Sequence, residues 1–162
     1  MNSSMLGLAT TFSLTLLAFA APAAANAQAT ATATSSLPFD VKPVGTFNNP
    51  WAMAFLPDGK VLVTQKEGTL ILFDPATGTK RTVSGTPTVS SKGQGALMDI
   101  VPAPDFAASK VLYFSYSEAG SGADTRVMLA MATLDQAGGA LKDTKVIFRG
   151  QDASTGGHYS GR

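Results

Sequence analysis

The chain has 162 residues with 12 basic and 11 acidic side chains, a formal net charge of +1, no cysteine and a single histidine. Without cysteine there can be no disulfide and no thiolate metal site. The near-balanced charge, with no basic stripe interleaved with aromatics, argues against nucleic-acid or anionic-lipid partners.

All charged residues lie at or beyond Asp40, so residues 1–39 are uncharged. Phe12 to Ala21 is apolar apart from Ser13 and Thr15, and Pro22 and an alanine-rich stretch ending Ala25-Asn26-Ala27 follow it. A short apolar core before a small-x-small site predicts a secretory signal peptide over residues 1–27, although this one has no Lys or Arg in its n-region. The run is too short and too interrupted for a membrane span, so none is expected after cleavage. Residues 28–37 read as a flexible linker, and a domain is expected over 38–162. The expected location is periplasmic or secreted.

From Pro38 onward the signals are strands and turns. Val61–Thr64, Thr69–Phe73, Val111–Phe114, Val127–Ala130 and Val146–Phe148 are short apolar runs rich in β-branched and aromatic residues. Pro57-Asp58-Gly59, Glu67-Gly68, Asp74-Pro75, Thr77-Gly78 and Gly120-Ser121-Gly122 separate them as turns. Unbroken apolar runs predict strands covered on both faces. No segment has a capped helical period. The chain reads as all-β.

Pro57-Asp58 ahead of two strands is echoed by Pro104-Asp105 ahead of two more. Their spacing suits one propeller blade, roughly 40–50 residues. The expectation is about two blades plus the start of a third, the chain being the N-terminal part of a longer propeller. A self-contained two-sheet sandwich is the alternative.

Three constellations carry candidate chemistry. In Asn48–Gly59, Trp51 reads as a core anchor at a blade start and Asp58 as a turn residue. In Gly93-Gln94-Gly95-Ala96-Leu97-Met98-Asp99-Ile100, Gln94 between glycines can present its amide where backbone approaches a ligand. Asp99, enclosed by apolar residues, is either hydrogen-bonded structurally or ligand-facing. In Gly156–Arg162, His158 follows a glycine pair; an imidazole can take a proton from an alcohol and return it, or serve as an ordinary surface residue. Ser160, His158 and an aspartate could be drawn as a triad, but no nucleophile-elbow motif supports one. No His/Cys metal site can be assembled.

In this order the constellations resemble the soluble pyrroloquinoline-quinone (PQQ)-dependent aldose sugar dehydrogenases, the glucose/sorbosone dehydrogenase family. The matching residues are Asn49–Thr64, Gly93–Asp99, Pro104-Asp105-Phe106, Val111–Ser117 and His158-Tyr159-Ser160-Gly161-Arg162. Gln65 stands where a glutamate is expected, Ala103 where a histidine commonly precedes Pro-Asp-Phe, and Gly157 where some members have an aspartate. The resemblance implies a six-bladed propeller in the periplasm that oxidises an aldose to its lactone. It implies His158 as general base on the anomeric hydroxyl, hydride transfer to PQQ, and Gln94 beside cofactor and sugar. It also implies calcium and an external electron acceptor, with the main cofactor and metal ligands on later blades, so that the isolated chain is expected to be inactive. A non-catalytic propeller binding carbohydrate or protein is the other functional reading, since one fold hosts many functions. A propeller lactone hydrolase would need a set of acidic and Asn ligands that this chain does not show.

Overall fold

The computed structural model describes residues 39–121, 124–137, 139–152 and 159. The expected leader over 1–27, the expected linker over 28–37 and His158 lie outside them. Eight strands make up the fold. β1 (Pro50–Phe55), β2 (Val61–Gln65), β3 (Leu70–Asp74) and β4 (Thr79–Val83) form one antiparallel sheet in the order β1-β2-β3-β4. β5 (Leu97–Pro102), β6 (Val111–Ala119), β7 (Thr125–Asp135) and β8 (Ala140–Arg149) form a second, in the order β5-β6-β7-β8. Two successive four-stranded meanders, packed face to face, are the blade units of a β-propeller; the chain is a partial one.

Short turns set the meander. Between β1 and β2 the Leu56 amide donates to Lys60 O at 2.8 Å and the Gly59 amide to Leu56 O at 3.0 Å. Gly59 there sits at φ 82°, where a side chain is disfavoured. The Asp58 carboxylate accepts both the backbone amide and the ammonium of Lys60, at 3.3 and 2.6 Å. It also accepts from Gln136 Nε2 at 2.8 Å, tying this turn to the end of β7.

The core lies between the sheets. Leu62, Leu70, Leu72 and Val83 of the first meet Leu97, Ile100, Leu112, Phe114, Tyr116, Met128, Ala130, Ala132, Leu134 and Leu141 of the second. Large and small residues alternate across the β6–β7 ladder: Leu112 pairs with Ala132, and Phe114 with Ala130. The alanines leave the volume that the larger side chains fill. Each fully buried Leu or Phe contributes about 1.5–3 kcal/mol of apolar transfer.

β2 is buried along its whole length. Leu62 and Thr64 face the second sheet, while Val61 and Val63 join Phe73 on the opposite side. The continuous apolar runs predicted strands covered on both faces: β2 is one, but Val146–Phe148 is not, since that part of the edge strand β8 is 38–59% exposed. The Thr64 hydroxyl joins three strands: it donates to Met98 O at 2.7 Å and accepts the Ala52 amide at 3.0 Å. At the outer rim the Ser84 amide donates to Gly139 O at 2.9 Å and the Leu141 amide to Ser84 O at 2.8 Å. Beside them Arg81 Nη1 donates to Ala137 O at 2.6 Å.

Three expectations need correction. Trp51 is no core anchor: it is 44% exposed, with Met53 at 66% and Phe55 at 69% on the same face of β1. Its side chain borders an open cavity shared with Val63 and Asp99 and stays out of the core. A one-turn helix, α1 (Phe106–Ser109), interrupts the β pattern. Four residues are too few for a helical period to show in sequence, and it serves to plug Phe106 into the core. Finally, β4 has the sequence Thr-Lys-Arg-Thr-Val and was not anticipated. As an edge strand it carries charges that a central strand could not.

Candidate active-site mouth

Gln94 occupies an exposed turn just before β5, and the turn is held from three sides. The Gly95 amide donates to Lys92 O at 2.8 Å, closing the turn itself. From the first sheet, Lys66 Nζ donates to Gly93 O at 2.8 Å, while the Leu97 amide donates to Lys66 O at 3.3 Å. From beneath, the fully buried Ser117 hydroxyl donates to Ser90 O at 2.6 Å and accepts the Ala96 amide at 2.8 Å. Gly95 has no room for a side chain, since a Cβ would lie 2.1 Å from Ser90 O and 2.7 Å from Ser117 Oγ. The second glycine of the Gly-Gln-Gly motif is therefore required by close packing, and the glutamine is left as the group that the turn displays.

Asp99 is hydrogen-bonded structurally, as one of its two readings has it. Its carboxylate accepts the Ile100 amide at 3.0 Å, and its own amide donates to Ser115 Oγ at 3.1 Å. It also lines an open cavity of about 570 Å³ with Phe47, Pro50, Trp51, Met53, Phe55 and Val63. Asp99 is the one ionisable residue in that lining.

His158 lies outside the described residues, and Ser160 with it. Tyr159 is described. It is buried against Ala96 and Met98, with Val127 packed beside them. Its hydroxyl forms a hydrogen bond with that of Thr125, itself fully buried at the start of β7. Residue 159 is therefore anchored on Ala96 and Met98, around the start of β5, and on Thr125 and Val127 of β7.

The two arginines nearest this rim are already paired. Arg149 lies 2.6 Å from Glu118, and Arg126 Nε lies 3.5 Å from Glu118 and 3.2 Å from Asp152. The Ser121 amide donates to Asp152 at 3.1 Å, and this bond, with help from Arg126, holds the carboxyl below its ordinary value of 3.8. Among the described residues no group of three or more His, Cys, Asp or Glu is placed to hold a metal ion. No described helix is long and apolar enough to cross a membrane.

Lys66 and Thr125 carried no sequence signal, and Ser117 stood at the end of a matching motif with no role assigned to it. Their roles depend on carbonyls and hydroxyls brought in from other strands, and only the paired sheets reveal them.

Residues 47–162 match the glucose/sorbosone dehydrogenase family. The chain belongs to that family of sugar dehydrogenases. It is 38% identical over 117 residues to the aldose sugar dehydrogenase YliI of Escherichia coli, covering 71% of this chain and 32% of that protein. The crystal structure of the soluble E. coli aldose sugar dehydrogenase in its apo form superposes with a TM-score of 0.68 at 38% identity, over 71% of this chain and 34% of that one. The PQQ-bound aldose sugar dehydrogenase of Streptomyces coelicolor gives 0.57 at 31% identity, over 68% and 33%. The chain thus spans about a third of the length of the relatives it matches.

The donor chemistry at the mouth fits one edge of an anionic planar quinone. Gln94 offers an exposed amide, and Lys66 holds an ammonium on the same turn. Exposed Lys92 lies on that turn as well, while Arg126 and Arg149 near this rim are committed to carboxylates.

Proposed function

We propose that this chain forms part of an exported, PQQ-dependent oxidoreductase that oxidises aldoses at the anomeric hydroxyl to lactones. The observation that carries this reading is the convergence at the start of β5. The Gln94 turn, the Lys66 ammonium and the buried Tyr159 that follows His158 all bear on residues 93–98. The family match and the PQQ-bound relative from S. coelicolor support it.

In this reading Gln94 donates an amide hydrogen bond to the sugar or the cofactor edge, and the rigid turn keeps that amide from relaxing away. His158 takes the proton of the anomeric hydroxyl, a general-base role worth about 10²–10⁴-fold in rate. When bound, PQQ supplies the two-electron acceptor for the hydride lost from the anomeric carbon, and an external acceptor later removes those electrons. Calcium and the remaining cofactor ligands come from blades beyond the two described. The exposed Trp51, Met53 and Phe55 are of the right character to pack against such a blade. Secretion to the periplasm rests on the leader's short apolar core and the small-x-small site that follows it.

The test is to assay the protein as the cell makes it with added PQQ, calcium and an aldose. The expected result is that His158→Gln lowers kcat at least a hundredfold, while Gln94→Ala chiefly raises KM. Undiminished turnover in His158→Gln would overturn the assignment. The reading as a non-catalytic carbohydrate binder draws on one feature, the exposed Trp51 ring beside the Asp99 carboxylate in an open trough. Saturable sugar binding that Trp51→Ala abolishes, with no turnover under any cofactor condition, would favour it.

A further inference from the structure

We propose that the cleft beside the Gln94 turn is a second sugar subsite. It takes the adjoining hexose unit when the aldose is the reducing end of a disaccharide or longer saccharide. The proposal rests on the aldose-oxidising reading above and deepens it.

The cleft is an open cavity of about 570 Å³ between the loop that leads into β5 and the end of β6. That volume lies in the range of small-ligand sites, about 300–1,000 Å³. Residues 87–92 line one wall, and Glu118 with Ala119 lines the other. Each wall runs directly into the groups that hold Gln94. The loop continues into the turn, which the Gly95 amide closes on Lys92 O at 2.8 Å. Glu118 follows Ser117, whose hydroxyl accepts the Ala96 amide beneath that turn at 2.8 Å.

The walls are also clamped to each other. The Ser90 amide donates to Ser117 O at 2.8 Å, and the Ser117 hydroxyl donates back to Ser90 O at 2.6 Å. Val89 seats the loop from inside: it packs on the core between the sheets and against Gly68, where an added Cβ would lie 3.2 Å from it. The cleft is therefore preformed, and its place relative to Gln94 is fixed. Three residues of chain separate Ser91 from Gln94, at most about 11 Å. Adjoining units of one saccharide can reach both.

The lining suits a neutral polyol. Pro87, Val89 and Ala119 give an apolar surface on which the C–H face of a pyranose can lie. Thr88 and Ser91 add hydroxyls with no hydrogen-bond partner among the described residues. Glu118 is held in place, its Oε2 lying 2.6 Å from Arg149 Nη1 and 3.5 Å from Arg126 Nε. Both pairs use that one oxygen, so among the described residues Oε1 is left to accept from a sugar hydroxyl. Lys92 and Glu118 line the cleft with one charge of each sign, which argues against an anionic ligand.

The test compares glucose with maltose, cellobiose and lactose, using the protein as the cell makes it, loaded with PQQ and calcium. Ala119→Leu fills the cleft without removing a side-chain hydrogen bond. The double variant Thr88→Val/Ser91→Ala removes both hydroxyls and keeps the Ser90–Ser117 clamp. For the best disaccharide each should lower kcat/KM about tenfold through KM alone, as expected when binding remote from the reacting carbon is lost. The glucose constants should stay unchanged. Core methyl signals from Leu62 and Val83 report that each variant remains folded. Equal losses for glucose and disaccharide, or no loss in either folded variant, overturn the subsite.

Binding is read separately with the methyl glycosides of the same disaccharides, whose blocked anomeric oxygen cannot be oxidised. They should shift the Ser91 and Ala119 amide signals in NMR, and Ala119→Leu should abolish saturable binding. The two readings then fail separately. If no sugar is turned over while a glycoside still shifts those amides, aldose oxidation falls and the carbohydrate subsite stands. If glucose is turned over and no glycoside moves them, the subsite falls alone.

Discussion

Leu62 and Val63 are neighbours in β2 and equally apolar, yet they belong to different worlds. Leu62 points into the core that the two sheets share, closed by Leu112, Phe114 and Met128 from the far side. Val63 points the other way, into a trough whose other walls, Trp51, Met53 and Phe55, remain open to solvent. Strand alternation puts successive side chains on opposite faces, but it does not say what will cover either face. On the inner side a second meander supplies the cover, together with the hydrogen bonds of Thr64, Ser84 and Arg81. On the outer side Phe47 packs edge-on against Phe73, with ring centroids 5.3 Å apart. Burial is thus a property of the partner surface as much as of the residue.

The sharpest way to break this comparison is to truncate one side chain on each face. Phe114→Ala should cost about 3–5 kcal/mol in urea unfolding, because Ala130 and Ala132 across the ladder cannot fill the cavity. A loss under 1 kcal/mol would show that the shared face is not the core. Next in size is Thr64→Val, which removes the donor to Met98 O and the acceptor for the Ala52 amide inside the interface. A loss of about 1–3 kcal/mol is expected, with slower-protected Ala52 and Met98 regions becoming faster in amide hydrogen exchange.

Acid should act on the polar rim and spare the apolar faces. The Asp152 carboxyl is held below 3.8, chiefly by the Ser121 amide. A depressed folded value means that the group's contribution is present above the ordinary value and is lost as pH falls through the folded one. Stability should therefore decline below about pH 4, and Asp152→Asn should remove part of that slope. An unchanged slope in Asp152→Asn would place the acid sensitivity elsewhere. The smallest effect belongs to the outer face. Phe55→Ser should leave stability within about 0.5 kcal/mol while reducing binding of a hydrophobic dye. A large destabilisation there would mean that the trough is packed in solution.

Much of the fold was legible as sequence, because five of the eight strands are apolar runs bounded by turn residues. Val61–Thr64 and Val127–Ala130 needed no tertiary information to be read. β4 escaped because an edge strand tolerates Lys80 and Arg81, and edges are defined only once a sheet exists. At the site, Gln94 stood out through its flanking glycines. The reason for Gly95 lies in Ser90 and Ser117, which no local pattern connects to it. Tyr159 was visible within a motif, but its partner Thr125 is remote in the chain and sits in a segment read only as turn and strand.

By itself the sequence determined the all-β class, the repeat of propeller-blade length and the family, since these rest on local periodicity, turn chemistry and ordered short motifs. Only the tertiary structure decided that Trp51 faces outward, that Lys66 and Ser117 clamp the Gln94 turn, and that Thr125 receives Tyr159. Each of these depends on which surfaces and hydrogen-bonding groups meet across separate strands, and that meeting is settled by the packing of one sheet on the other.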